Sequence, residues 1–171
     1  SLRRFNSDRL TVAGSFVNYS FRADPEDMRR IHEGSLALGL PFGVDMTDNS
    51  RGAMIKARGF DGGQADYYAH YGLLDHGPIY AGKGVNLLPH EYALLAERDA
   101  RLAVVPTLRF FDAQGVPVHD FLAAGILPGL GTDAPLVSDS QDPFEAMRHA
   151  IFTQNMAVKA RVAAGGERPD A

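Results

Sequence analysis

The run ILPGLGTDAPLVSDSQDPFEAMRHA at 126–150 carries an apolar segment to Gly131-Thr132-Asp133, loosens into polar residues and resumes as a helix behind Asp142-Pro143. A carboxylate at the point where a buried strand leaves the core can ligate a cation and take a proton from its bound water. Gly, Thr and Asp also build ordinary turns, so this stretch alone leaves a catalytic Asp133 and a plain turn equally open. Elsewhere the chemistry is thinner. The chain has no cysteine, which removes disulfides, thiolate metal sites and Cys nucleophiles together. Its histidines are dispersed. His32 and His149 fall inside helical segments, His90 and His119 read as surface residues, and His70 and His76 flank a loop without a shared face.

The elements that would position Asp133 can be read from apolar runs and helix caps. With 171 residues and 45% apolar content, the chain suits one globular domain over 1–171. A net charge of −4 with scattered Lys and Arg gives no basic stripe for nucleic acid. No apolar run approaches the roughly 18 residues of a membrane helix, and no leader pattern is visible. A small-molecule substrate and a cytoplasmic setting are therefore expected, with neither nucleic acid nor membrane as partner.

Strands are predicted at 9–17, 40–46, 78–85, 100–108 and 126–133. Between them lie helices with readable ends. One starts at Asp24 as N-cap with Pro25 behind it and stops at Gly39. Another repeats the device with Asp142, Pro143 and Glu145, and Phe144, Met147, Ile151 and Val158 fall near one face at spacings of three, four and seven. Helices are also expected at 89–100 and 64–71, with the glycine-rich 59–66 stretch as a loop or lid over the site. Strand and helix alternate at roughly 25 to 35 residues, the period of βαβ units and a parallel sheet. Right-handed crossovers then bring all strand C-termini to one face, where Asn18 after the first strand and Arg109 after the fourth could bind substrate. No Gly-x-Gly-x-x-Gly or Walker sequence supports a nucleotide-binding alternative.

The order of motifs resembles the C-terminal half of an amidohydrolase-superfamily barrel, in the branch of the s-triazine hydrolases and the guanine and adenosine-type deaminases. LLPHEYALLAERDARLAVVPTL, FLAAGILPGLGTDAP and DPFEAMRHAIFTQ carry the likeness. It implies a partial (β/α)8 TIM-barrel-like α/β fold of about five parallel βα units, matching strands 4 to 8 of such a barrel. A whole barrel uses about 250 residues, so the resemblance implies a stretch of a longer protein or a shortened relative. It also implies a homo-oligomer, or a complementing chain that completes the barrel and covers the open sheet edges.

The same resemblance assigns roles. Asp133 matches the Asp that ends the last strand, binds metal and shuttles protons. The histidine and glutamate of the family's strand 5 become Asp45 and Asp48 in FGVDMTDN. Its strand 6 histidine gives way to Gly82-Lys83, and strand 7 reads Val104-Val105-Pro106. Catalytic residues would be Asp133, Asp48 and Lys83, with Asp45 and Asp133 as metal ligands. A divalent Zn, Mn or Mg fits that reading, but tight zinc is not expected, because zinc sites favour imidazole and thiolate where this chain has carboxylates. Crowded carboxylates repel, and Lys83 could neutralise them as an internal ammonium or support metal-free acid–base or Schiff-base chemistry. The expected activity is hydrolysis of a C–N or similar leaving-group bond in a small heterocyclic or amide substrate. A metal-independent lyase or isomerase reusing the Asp and Lys83, and an inactive half-barrel subunit, are the alternatives.

Overall fold

The structure, a computed structural model, describes residues 12–16, 23–46, 49–76, 79–107, 116–138 and 140–168. The chain forms the expected α/β arrangement of five parallel strands in the order β1-β2-β3-β4-β5. These are β1 (Gly14–Phe16), β2 (Phe42–Asp45), β3 (Ile79–Gly82), β4 (Arg101–Val104) and β5 (Gly129–Leu130). Contacts divide the chain into two compact units, Ser1–Arg101 and Leu102–Ala171.

In the first unit β1 pairs with β2 and β2 with β3, both in parallel, with Asp45 opposite Gly82. β2 is buried at every position, so it reads as a continuous apolar run rather than an alternating one. Helix α1 (Pro25–Ala37) begins where Asp24 accepts a hydrogen bond from the Glu26 N–H at 2.8 Å. It ends at Gly39, whose φ of +66° lets the Leu40 N–H return to the Ser35 carbonyl at 2.9 Å. Met28, His32 and Ser35 form its buried stripe. Ser35 lies so close to Gly14 that a Cβ there would collide with its hydroxyl, so glycine sets the approach of α1 to β1. Helices α2 (Asn49–Ala57), α3 (Gln64–His70) and α4 (Pro89–Glu97) complete the unit. Tyr67, Tyr68, Phe42, Ile55, Leu73, Ile79 and Leu95 are buried in its core.

In the second unit β4 and β5 pair in parallel. It also holds α5 (Val118–Ala123), α6 (Pro135–Ser138) and the long α7 (Pro143–Ala163). Asp142 caps α7 by accepting from the Phe144 N–H at 2.9 Å. Of the four apolar residues that fall near one face of this helix, only Val158 is buried. Phe144, Met147 and Ile151 are exposed, while Ala146, Thr153 and Val158 are buried. Polar ties set the helix's rotation: His149 Nδ1 lies 3.0 Å from Thr107 Oγ1, Gln154 accepts from the His119 N–H, and Arg161 pairs with Asp120 at 2.8 Å. The strands are also shorter than their apolar runs. The last one ends at Leu130 rather than at Asp133, because the chain turns before reaching the carboxylate.

Candidate active site

Two of the expected residues meet at strand C-termini in the first unit. Asp45 is the last residue of β2 and Lys83 the first beyond β3, and the register Asp45↔Gly82 makes them neighbours across two parallel strands. Lys83 Nζ lies 3.9 Å from Asp45 Oδ2, with both side chains mostly shielded from solvent at 18% and 12% exposure. The pair is loose in length but sheltered, which strengthens its Coulomb attraction relative to a surface contact.

The backbone under Lys83 is unusual. Its φ is +71°, and the Gly84 N–H bonds to the Gly82 carbonyl two residues back at 2.9 Å. That is a γ-turn of the positive-φ kind, which is rare and strained. A non-glycine residue held there stores about 1–3 kcal/mol and persists only if its surroundings over-determine it. The surroundings do so. Val85 donates its N–H to the Met46 carbonyl at 3.2 Å and accepts from Gln64 Nε2 at 3.2 Å. Tyr68 donates its hydroxyl to the Asp45 carbonyl at 2.9 Å.

Gln64 opens α3, and the start of that helix is governed by Glu91 of α4. Glu91 is fully buried. Its carboxylate accepts from the Ala65 and Asp66 N–H groups at 2.5 and 3.1 Å, and from the Leu88 N–H at 2.6 Å. One side chain thus satisfies orphan donors at the N-termini of two helices. Burial pushes the Glu91 carboxyl up, and the three N–H groups oppose that shift. A Cβ on Gly63 would run into the carboxylate, so the approach needs glycine. Beside it, Asp66 pairs with His90 at 2.8 Å and accepts from the Gly63 N–H at 3.0 Å. The 59–66 stretch, expected as loop or lid, therefore ends in a fixed helix start.

Asp133 belongs to the second unit, three residues past β5. It is a turn residue, with φ +64° and its carboxylate accepting from the Ala134 N–H at 2.8 Å. Its carbonyl accepts from Gln141 Nε2 at 2.9 Å. Asn18, Asp48 and Arg109 lie outside the described residues. A cleft of about 600 Å³ bordered by Asp75, His76, Arg98 and Arg101 adjoins the N-terminal ends of β3 and β4, away from Asp45 and Lys83.

No family model matches the chain. A 5-methylthioadenosine/S-adenosylhomocysteine deaminase of Natronomonas pharaonis is 31% identical over 133 residues, 76% of this chain. The deaminase of the same name from Moorella thermoacetica is 32% identical over 131 residues, 75% of this chain. The chain spans 30% of the length of each of these relatives. Among solved structures, guanine deaminase from C. acetobutylicum with bound guanine superposes with a TM-score of 0.72 at 18% identity. That match covers 86% of this chain and 35% of the deaminase. An adenosine deaminase from Xanthomonas campestris with bound zinc gives a TM-score of 0.68 at 18% identity over 84% of this chain and 31% of that one. These relatives and structural neighbours support placing the chain in the amidohydrolase superfamily. Its relatives there are deaminases, and triazine hydrolases share the fold.

The zinc of that adenosine deaminase does not fit the residues described here. Where a dication would need converging donors, an ammonium already faces the Asp45 carboxylate. Among the described residues no three His, Cys, Asp or Glu side chains come close enough to hold a metal ion. Charge repulsion between Lys83 and a dication adds to the lack of converging imidazoles among the described residues.

Sequence reasoning had no route to Gln64, Glu91 or Tyr68. A Glu three residues after an N-cap is a capping signal, but here the N-cap is Leu88 rather than Ser or Thr. The Gln64 and Tyr68 bonds go to backbone carbonyls, which leave no trace in residue types.

Proposed function

We propose that the chain contributes the strand-end site of a hydrolase that cleaves a C–N bond in a small heterocyclic or amide substrate. The Lys83–Asp45 pair supplies a fixed charge in place of a divalent cation. Kinship with deaminases supports the reaction type. The observation that carries the charge assignment is the sheltered 3.9 Å contact between Lys83 and Asp45.

In this reading Asp133 accepts a proton from water as the water oxygen attacks the substrate carbon. It then returns that proton to the departing nitrogen, so that water and an amine-bearing carbon become a hydroxyl-bearing carbon and ammonia. The Lys83 ammonium stabilises the negative charge that develops on the substrate as the attack proceeds. Asp48 stands as a second proton-transfer group, Asn18 and Arg109 as substrate contacts.

The test is ammonia release from a panel of purines, purine nucleosides and amino-substituted triazines, with and without chelator. Release that survives chelator and falls by about 10²-fold or more in Asp133→Asn supports the assignment, because acid–base groups contribute that much. The Lys83–Asp45 contact also favours a second reading, an inactive half-barrel acting as a subunit. Absence of ammonia from every substrate would select that reading over the first.

A further inference from the structure

We infer that Gln64 is a positioning residue for Lys83, acting through the backbone of the turn that carries it. The inference deepens the assignment of Lys83 as a fixed charge and rests on that reading for its functional meaning. Three facts support it. First, Lys83 occupies a strained turn with φ +71°, followed by Gly84 at +58° and Asn86 at +56°, so the segment does not hold its own shape. Second, the Val85 carbonyl, two residues past Lys83, accepts from Gln64 Nε2 at 3.2 Å in a buried contact. A carbonyl can only accept, so this bond commits the amide's NH2 group and leaves no freedom to flip it. Third, Gln64 is 3% exposed, and its Oε1 has no hydrogen-bond partner among the described residues. A long polar side chain is thus buried with its acceptor oxygen unpartnered among the described residues, a placement that packing alone does not favour.

The anchor is itself anchored. Gln64 begins α3, whose next two N–H groups are held by the buried Glu91 carboxylate. Tyr68, one turn further along the same helix, holds the Asp45 carbonyl. One short helix therefore holds the Asp45 carbonyl at the end of β2 and the Val85 carbonyl two residues past Lys83, beyond the adjacent strand β3, and so braces the backbone that keeps the ammonium facing the carboxylate.

The chain has three lysines, Lys56, Lys83 and Lys159, of which Lys56 and Lys159 are exposed. Acetic anhydride labelling, followed site by site by mass spectrometry, reads Lys83 against these two internal references. In the wild type Lys83 should react more slowly than either. Gln64→Leu, which removes the donor, and Gln64→Glu, which replaces it with an acceptor, should each speed Lys83 labelling about three- to tenfold, the factor of one neutral hydrogen bond. Lys56 and Lys159 should keep their rates. A rise at all three lysines would signal unfolding rather than loss of positioning and would overturn the inference. So would an unchanged Lys83 in both variants. A carbon-13 signal for the Lys83 ε-methylene that moves in both variants, with an unchanged unfolding midpoint, gives independent support. If the hydrolase reading fails, the wild type releases no ammonia, yet Lys83 protection and its dependence on Gln64 still stand or fall on their own.

Discussion

Replacing Glu91 with alanine is the sharpest test of how the site is held. The carboxylate takes three backbone N–H groups, from Ala65, Asp66 and Leu88, and none of the three sits on an open surface. A buried donor stripped of its acceptor costs about 1–3 kcal/mol, more when the lost partner was charged. Water can reach the partly buried Asp66 and Leu88 N–H groups and recover some of that, whereas the Ala65 N–H is closed off. The sum is about 3–5 kcal/mol for Glu91→Ala, a large share of the 5–15 kcal/mol that holds a typical domain together. Glu91→Gln keeps one acceptor oxygen but turns an NH2 group toward an N–H, which should cost about 1–3 kcal/mol. Urea unfolding monitored by circular dichroism measures both. With a slope of about 2 kcal/mol/M, Glu91→Ala should lower the midpoint by about 1.5–2.5 M at unchanged slope. A shift under about 0.5 M would refute the double-cap account, as would a larger loss in Glu91→Gln than in Glu91→Ala.

Four further outcomes are expected. Gly63→Ala should cost about 1–3 kcal/mol, since its Cβ would press on the same carboxylate; combining it with Glu91→Ala should remove most of that cost, and full additivity would contradict the contact. Burial, with His76 nearby, holds the His32 imidazole below its ordinary 6.5. The unfolded chain therefore binds a proton more readily, so stability present above that value should decline as pH falls through it toward the folded value. His32→Phe should flatten the decline, and an unaltered pH profile would argue against it. Lys83→Met should cost about 1–3 kcal/mol, less than breaking a tight buried pair because the contact is long; a more stable variant would show that the cost of desolvating the pair outweighs its attraction. Among the described residues β1 and β5 end the strand order, and unpaired strand edges invite a partner, so light scattering is expected to give a mass above that of one chain, and a cooperatively folding monomer would refute this.

Much of the framework was legible in the sequence because each strand is a short apolar run and the main helices announce themselves. Asp24-Pro25 and Asp142-Pro143 mark helix starts that the structure confirms. Helix α2 was missed because NSRGAMIKA carries no clear apolar stripe and has a glycine in its middle. Apolar spacing alone does not mark the buried side of α7, where Ala146, Thr153 and Val158 are buried and His149, Gln154 and Arg161 make the polar ties. Strand ends were overextended wherever glycines follow the paired residues, as at Gly131 and at Gly84. Residue types could nominate Asp45 and Lys83, but their meeting depends on the parallel register that sets Asp45 beside Gly82. The strained turn at Lys83 and the glutamine that braces it depend on backbone geometry, to which composition and spacing are blind.

The central claim is that an internal ammonium, rather than a metal ion, supplies the positive charge of a C–N hydrolase site. Ammonia release by protein stripped with chelator, compared with the same protein given back zinc, tests it most directly. The account expects equal rates in the two samples and a rate reduced at least tenfold in Lys83→Met under both conditions. Activity that vanishes on stripping, returns with zinc and survives Lys83→Met would contradict it.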